Sequence, residues 1–266
     1  MNQQNNKTNK QGVSLLLLTK NESKNLREHL TWLHKCPNIN QVIVVDDHST
    51  DSTISTLKEL VPKTINLLIK SRGLDGNFSA QRQYGTSLAT NNWILWLDAD
   101  EEPSHQLISY LNSFEFDQTT NIAFKRHDFF LGGPLNHGET ANQYFLRLFH
   151  RNSGGFTGMV HEIWHSNLPT KQLDIYINHY SHPTIQSFME KINFYSSLRA
   201  QELYCQKVTT NLSEIIFYPL GKFLYNYFIL LGLLDSTRGI IMALGMSFHS
   251  FLVRAKLWHL YQSPSI

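Results

Sequence analysis

The chain is short of cysteine, short of net charge, and has no apolar run long enough to cross a membrane. Cys36 and Cys205 are its only cysteines. Two thiols make no disulfide framework, which places the protein in a reducing compartment. The formal net charge is only +2, which excludes a nucleic-acid binder driven by bulk charge. The late apolar runs 223–234 and 239–253 both fall below the roughly 18 residues of a spanning helix. The leucine run at 15–18 is shorter still and lacks a small-residue cleavage site, so it does not read as a signal peptide. No internal repeat is evident. What remains is ample for one sizeable core, at 266 residues and 41% hydrophobic. Residues 1–12 are rich in Asn, Gln and Lys and are expected to form a disordered tail.

The most informative stretch is Trp93-Ile-Leu-Trp-Leu-Asp98-Ala-Asp100-Glu101-Glu102. Its apolar part does not alternate with polar residues, so it reads as a strand buried on both faces. The acids then fall at the carboxyl end of that strand, where open α/β sheets bind ligands. Asp-x-Asp there is a hard-oxygen site suited to Mg²⁺ or Mn²⁺ bridging to phosphate oxygens. A solvated acidic turn is the bland alternative for such a pair, and the buried strand in front of it argues against that reading.

The same arrangement occurs twice upstream. Val13–Leu18 ends in Thr19-Lys20-Asn21-Glu22, followed by Leu26, Leu30 and Leu33 at helical spacing up to Pro37. Val42–Val45 ends in Asp46-Asp47-His48-Ser49-Thr50-Asp51, whose Ser and Thr are good caps for a helix carrying Ile54 and Leu57. Asp51 is itself expected to cap that helix. A third strand is predicted at 65–69 and a helix from about Ser79 to Ala89. This alternation with short connections predicts a doubly wound, mostly parallel, Rossmann-like α/β sheet. Asn21, Glu22, Asp47, Asp98 and Asp100 then share one edge.

These segments carry a resemblance. The first strand with Thr19-Lys-Asn-Glu22, the run at 44–53, Ser79-Ala-Gln-Arg82-Gln83 and Asp98-Ala-Asp100-Glu101 resemble family 2 glycosyltransferases of the type A nucleotide-sugar-binding fold. Arg147-Leu-Phe149, His161-Glu162 and Leu234-Asp235 with Gly239 are similar to the branch holding lipopolysaccharide core glucosyltransferases. Thr19 stands where many members have Pro, and His48 and Ser236 where many have Gly.

The resemblance implies a catalytic domain over 13–183, with a nucleotide half at 13–130 and an acceptor half at 131–183. A helical region follows at 184–266. It implies an inverting, metal-dependent hexosyl transfer from a nucleotide sugar, a UDP-hexose, to a hydroxyl of a glycan or lipid-linked acceptor of the cell envelope, with Mg²⁺ or Mn²⁺ as cofactor. Asp100 is the expected metal ligand. Asp98 is expected to contact the ribose or the metal's water shell. Asp47 is expected to accept from a uracil N–H, with Thr19, Asn21 and Glu22 lining base and ribose, and Arg82 touching the nucleotide.

An inverting displacement needs a carboxylate base near the acceptor hydroxyl. Asp128, Glu139, Glu162 and Asp174 are candidates, with a structural salt bridge as the competing role for each. Glu162 fits best, because it follows a glycine-bearing loop at 154–158 and forms the His-Glu pair; His161 beside it would position acceptor or phosphate. Most of the 13 histidines are packed or surface residues. His179 stands apart. It continues the inward alternation of Leu173, Ile175 and Ile177, and is expected to ligate the metal or touch the diphosphate.

A helix opening at Pro183-Thr184 should run to about Lys207. The two apolar runs beyond it are flanked by Lys222, Arg238, Arg254 and Lys256, the pattern of interfacial helices. They are expected to lie on the inner face of the cytoplasmic membrane, with packing on the catalytic domain or a homodimer interface as the alternative. Other classes fit less well. An aspartyl phosphatase would show Thr or Val soon after Asp-x-Asp, where Glu-Glu-Pro stands, and a receiver domain would be far shorter. A nucleotidyltransferase would carry a Gly-rich, Lys-containing loop after the first strand, and a non-catalytic nucleotide-sugar-binding module would bind without transfer.

Overall fold

The computed structural model describes residues 11–116, 119–141, 143–158 and 162–262. In chain order its elements are β1 (Val13–Thr19), α1 (Ser23–His29), β2 (Ile39–Asp46), α2 (Thr53–Leu60), β3 (Asn66–Ser71), α3 (Phe78–Ser87), β4 (Trp93–Asp98), β5 (Glu101–Pro103) and α4 (His105–Asn112). There follow β6 (Asn121–Phe130), β7 (Gly133–Pro134), β8 (Tyr144–His150), β9 (Gly154–Thr157), β10 (Ile163–Ser166), β11 (Thr170–His182), α5 (Ile185–Cys205), α6 (Leu212–Leu224) and α7 (Ser236–Gln262).

The main sheet has the order β3-β2-β1-β4-β8-β6-β11-β5, with β7 paired to β6. β1 pairs in parallel with both β2 and β4, which sets Leu18 opposite Val45 and Asp98, and β3 adds in parallel to β2. The unbroken apolar runs follow from this position. Leu15 and Leu17 enter one core cluster with Leu26, Leu33 and Leu57. Leu16 faces the other way, with Ile43, Ile94 and Trp96. Burial of each such side chain contributes about 1.5–3 kcal/mol. Beyond β4 the sheet changes sense: β8 is antiparallel to β4 and to β6. No helix intervenes between β6 and β8, so the chain has no crossover with which to return in parallel.

Two compact units emerge, one formed by Met1–Lys125 with Tyr144–Asn178, the other by Arg126–Gln143 with His179–Ile266. The boundaries fall inside β6 and β11. In the second unit, Phe130, Leu135, Phe188 and Ile192 form a core against Ile241 and Leu252. α5 matches the expected helix, opened by a capping box at Thr184 and Ser187. The apolar runs do not match elements so simply. The run 223–234 passes out of α6 into a π turn, Tyr225–Ile229, and a 3-10 turn, Gly232–Asp235. The run 239–253 is the interior of a longer helix. The helical stretch Gly232–Gln262 spans 31 residues and holds an 18-residue window of mean hydropathy 1.3, 17% buried, so by length and composition it could cross a membrane. Counting only uninterrupted apolar residues undercounts such a helix, because Arg254 and Lys256 interrupt the run without ending the helix.

The late Leu234-Asp235 and Gly239 have a structural role in this unit. Asp235 accepts from the Asn136 and His137 amides at 3.0 and 2.9 Å and sits 2.9 Å from His137 Nδ1. A Cβ on Gly239 would lie 1.8 Å from the Gly232 carbonyl oxygen, so only glycine permits that approach. Ser236, just before, has φ 56° and ψ −137°, a region where glycine is favoured.

Candidate active site

The site forms in the first unit, at the carboxyl ends of the parallel strands. At the ends of β1 and β2, Asp46 is buried and tied down. It accepts from Thr19 Oγ1 at 2.8 Å, from the Ser49 amide at 2.8 Å and from Ser49 Oγ at 2.6 Å. Asp47 instead points outward to Lys20 Nζ at 2.6 Å and accepts from the Leu74 amide at 3.0 Å. Burial pushes the Asp47 carboxyl up, and Lys20 and the Leu74 amide more than offset it, leaving it below its ordinary value.

Asn21 sits at φ 56°, where Asn is among the few side chains tolerated. Its Oδ1 accepts from the Thr50 amide at 2.8 Å, and its own amide donates to Ser49 Oγ at 2.8 Å. Glu22 donates its amide to Thr53 Oγ1 at 2.8 Å, and its side chain accepts from Asn25 at 2.7 Å. Thr19, Asn21, Glu22 and Asp47 therefore come together, as expected. Asp51 serves the start of α2, as expected, by accepting from the Thr53 amide at 2.9 Å, while Ser49 is occupied by Asp46. Bonds from Thr53 and Ser23 hold the Asp51 carboxyl down at about 2. His48 also adopts positive φ, at 53°.

At the end of β4 five ionisable groups meet around one indole. Arg82, on α3, is almost fully buried. Its Nη2 donates to Asp98 Oδ1 at 2.9 Å, its Nε to Glu162 Oε1, and its guanidinium carbon lies 3.8 Å from the Trp96 ring centroid. Arg147, on β8, donates from Nη2 to Asp98 Oδ2 at 3.1 Å and to Glu101 Oε1, and stands 4.5 Å from the same ring. Glu101 also accepts the Asp98 amide at 3.0 Å. Each oxygen of Asp98 is thus held by a different arginine. Burial alone would lower the Arg147 pKa; Glu101 and Asp98 outweigh it and raise it. Cation–π contacts of this kind, shielded from water, contribute about 2 kcal/mol.

Arg147, Glu101 and Trp96 were missed as site residues. The available signal was a charged residue inside an apolar strand segment, which is found buried only when paired. Glu162 is joined through Arg82 to Asp98. Its neighbour His161 lies outside the described residues, as does nearly all of the predicted tail 1–12.

Asp100 lies half-buried just past β4, close enough to His29 on α1 to act on it. Burial lowers the His29 pKa, and Glu102, Glu28 and Asp100 oppose that. His179 belongs to the second unit, where its Nδ1 is 2.5 Å from Asp128 Oδ1. Asp128 is also 3.1 Å from Arg126 Nε. Burial raises the Asp128 carboxyl, while His179 and Arg126 bring it below its ordinary value. Glu139 pairs with Lys222, and Asp174 accepts from Tyr144 at 2.5 Å. Among the described residues no three His, Cys, Asp or Glu side chains converge as a metal cage. Magnesium does not require one, since it binds through one or two carboxylates plus substrate phosphates. A hard carboxylate at Asp100, beside the arginine-bound Asp98, fits that mode.

The family described as glycosyl transferase family 2 matches residues 14–177. An uncharacterized glycosyltransferase of Rickettsia typhi is 28% identical over 263 residues, covering 92% of this chain and 86% of the relative. Another, from Rickettsia felis, is 27% identical and covers 92% and 89%. Among solved structures, S. aureus TarS 1–349 in complex with UDP-GlcNAc aligns at TM-score 0.48 and 14% identity, over 94% of this chain and 91% of that one.

Proposed function

The chain belongs to glycosyltransferase family 2, and from that premise we propose that it moves a hexose from a UDP-sugar, with inversion, to a hydroxyl of a glycan or lipid-linked acceptor. The observation that carries the reading is the cluster at the end of β4: Asp98, Glu101 and Glu162 interlocked with Arg82 and Arg147 on Trp96. It stands on the same sheet edge as Thr19, Asn21, Glu22 and Asp47.

The chemistry follows from those residues. Thr19, Asn21, Glu22 and Asp47 line the base and ribose. Asp98, fixed by two guanidiniums, orients the donor without having to reorganise. Asp100 would hold a Mg²⁺ or Mn²⁺ ion. The ion, when bound, offsets the charge that builds on the leaving diphosphate. The acceptor oxygen attacks the anomeric carbon from the face opposite the diphosphate. A carbon–oxygen bond forms there as the bond to the phosphate oxygen breaks, and its electron pair leaves with the diphosphate. Glu162 takes the acceptor proton. Its contact with Arg82 aims the carboxylate. The enzyme works at the inner face of the cytoplasmic membrane, where lipid-linked acceptors are found.

Calorimetry and turnover test this together. UDP should bind more tightly with added Mn²⁺, and Asp100→Ala should abolish that dependence. Glu162→Gln should keep donor affinity and lower transfer by roughly 10²–10⁴-fold. Mn²⁺-dependent UDP binding that survives Asp100→Ala removes Asp100 from the metal site. Near-normal turnover of Glu162→Gln removes it from the base role.

A further inference from the structure

We propose that the hairpin joining α6 to α7 is a preformed apolar wedge that enters the acyl layer of a membrane without needing anionic headgroups. This deepens the membrane-surface reading above and rests on it. The sequence pattern had assigned the attraction to Lys222, Arg238, Arg254 and Lys256, and the second unit uses all four internally. Lys222 pairs with Glu139. Arg238 donates to the Leu131 carbonyl at 3.4 Å and lies against Gly133. Arg254 stacks 4.0 Å from the Tyr218 ring centroid. Lys256 Nζ is bonded to Asn193 and Ser197 at 2.7–2.8 Å. Charge spent on these contacts is not directed at a lipid surface.

The apolar groups are arranged the other way. No residue of α6 is buried, and Leu212, Phe217 and Leu220 are 71%, 64% and 50% exposed. At 100° per residue the exposed Leu212, Ile216, Leu220, Leu224, Phe217 and Tyr218 spread over about 240° of the circumference, wider than the roughly 100° stripe that one packing face requires. A second protein chain covers a stripe; a lipid phase covers every exposed face. The stretch 223–234 carries no charged residue. At its tip Ile229 and Leu234 are 68% and 58% exposed.

The tip is also rigid. Gly138 donates to the Leu230 carbonyl at 2.9 Å, Asp235 grips the 136–137 loop, and Gly239 closes on Gly232. Little conformational entropy is lost when it inserts.

The wedge does not span. α5 carries Glu190, Lys191, Arg199 and Glu202 and runs along α7, from Phe188 against Gly245 to Tyr204 edge-on to Tyr261, with ring centroids 4.8 Å apart. Charged groups on that helix have no place in a hydrocarbon core. Only α6, the tip and the first turns of α7 are left to enter, at interfacial depth.

Flotation of the full chain with vesicles decides it. The protein should float with neutral phosphatidylcholine vesicles as well as with mixtures containing phosphatidylglycerol. Raising KCl from about 50 to about 500 mM, which cuts the screening length to near 4 Å, should leave the floated fraction unchanged. Ile229→Asn combined with Leu234→Asn should lower partitioning at least tenfold with an unchanged circular dichroism spectrum, while Ile163→Asn, an exposed apolar site in the other unit, should not. Binding confined to anionic vesicles and lost in salt overturns the proposal in favour of the bases. Absence of flotation, with a dimer in light scattering that the double variant dissociates, overturns it in favour of a second copy. Retention after an alkaline carbonate wash overturns it in favour of an integral helix. Hydrolysis of UDP-sugar, assayed without lipid, reports on the transfer reading independently of all these outcomes.

Discussion

The two units break the rule of apolar inside and charged outside in opposite directions. The first shuts charges in: Arg82 is 5% exposed, Arg147 3% and Glu101 3%. The second leaves oil out: Leu212, Phe217 and Ile229 stand more than half exposed. Neither arrangement is favourable by itself. A charged group is buried only where partners and geometry compensate it, and a large exposed apolar patch marks something that covers it. On the function and the wedge proposed above, the contrast separates two tasks, chemistry on a charged donor in one unit and attachment to an apolar phase in the other.

The sharpest way to break that comparison is to remove one buried charge. Arg147→Met takes from Glu101, whose side chain is 0% exposed, its arginine partner, and should cost about 3–5 kcal/mol in urea denaturation. Adding Glu101→Gln should recover most of the loss. A single-variant loss below about 1 kcal/mol would mean that the cluster is wetter than its burial indicates.

The thiols give a second contrast, because each unit holds one. Cys36 is buried and its thiol is pushed up to about 11, whereas Cys205 is exposed. At pH 8, thiol titration of the native chain should show one fast group, with Cys36 slower by roughly 100-fold or more. Equal rates would mean that the α1 side of the first core opens readily.

The smallest effect concerns backbone strain, which each unit places at a position where many family members carry glycine. Ser236→Gly should raise stability by about 0.5–1 kcal/mol, since a side chain at that φ and ψ is strained. His48→Gly should gain less, because it also removes the 2.9 Å contact between His48 Nδ1 and Ser71 Oγ. Equal gains would show that this contact contributes nothing.

The parallel half of the fold was legible because β1, β2 and β4 carry unbroken apolar runs, at 15–18, 42–45 and 93–97, that are buried on both faces of the sheet. β8 was not legible as a neighbour of β4, since Tyr144 to His150 mixes half-buried aromatics with Arg147. Of the site, the acids were legible from their place after a strand. The arginine clamp was not. Arg82 and Arg147 reach Asp98 across 16 and 49 residues, and only the assembled sheet sets that distance. The carboxyl-terminal turns were hidden for another reason. The chain reverses there through Leu231 at φ 58° and Ser236 at φ 56°, without a proline to announce it.

The place of β8 in the sheet has a consequence for how the protein is made. Trp93, Ile94 and Leu95 of β4 pair with His150, Phe149 and Leu148, so β4 keeps an open apolar edge until the chain has been synthesised past residue 150. At about 5–20 residues per second that interval lasts roughly 3–10 s on the ribosome. An open strand edge of this composition is a template for joining neighbouring nascent chains. The first unit can close once Asn178 has emerged, well before α7 has been translated. A chain cut at Lys125 never receives β8, and should collect in aggregates rather than persist as a smaller enzyme.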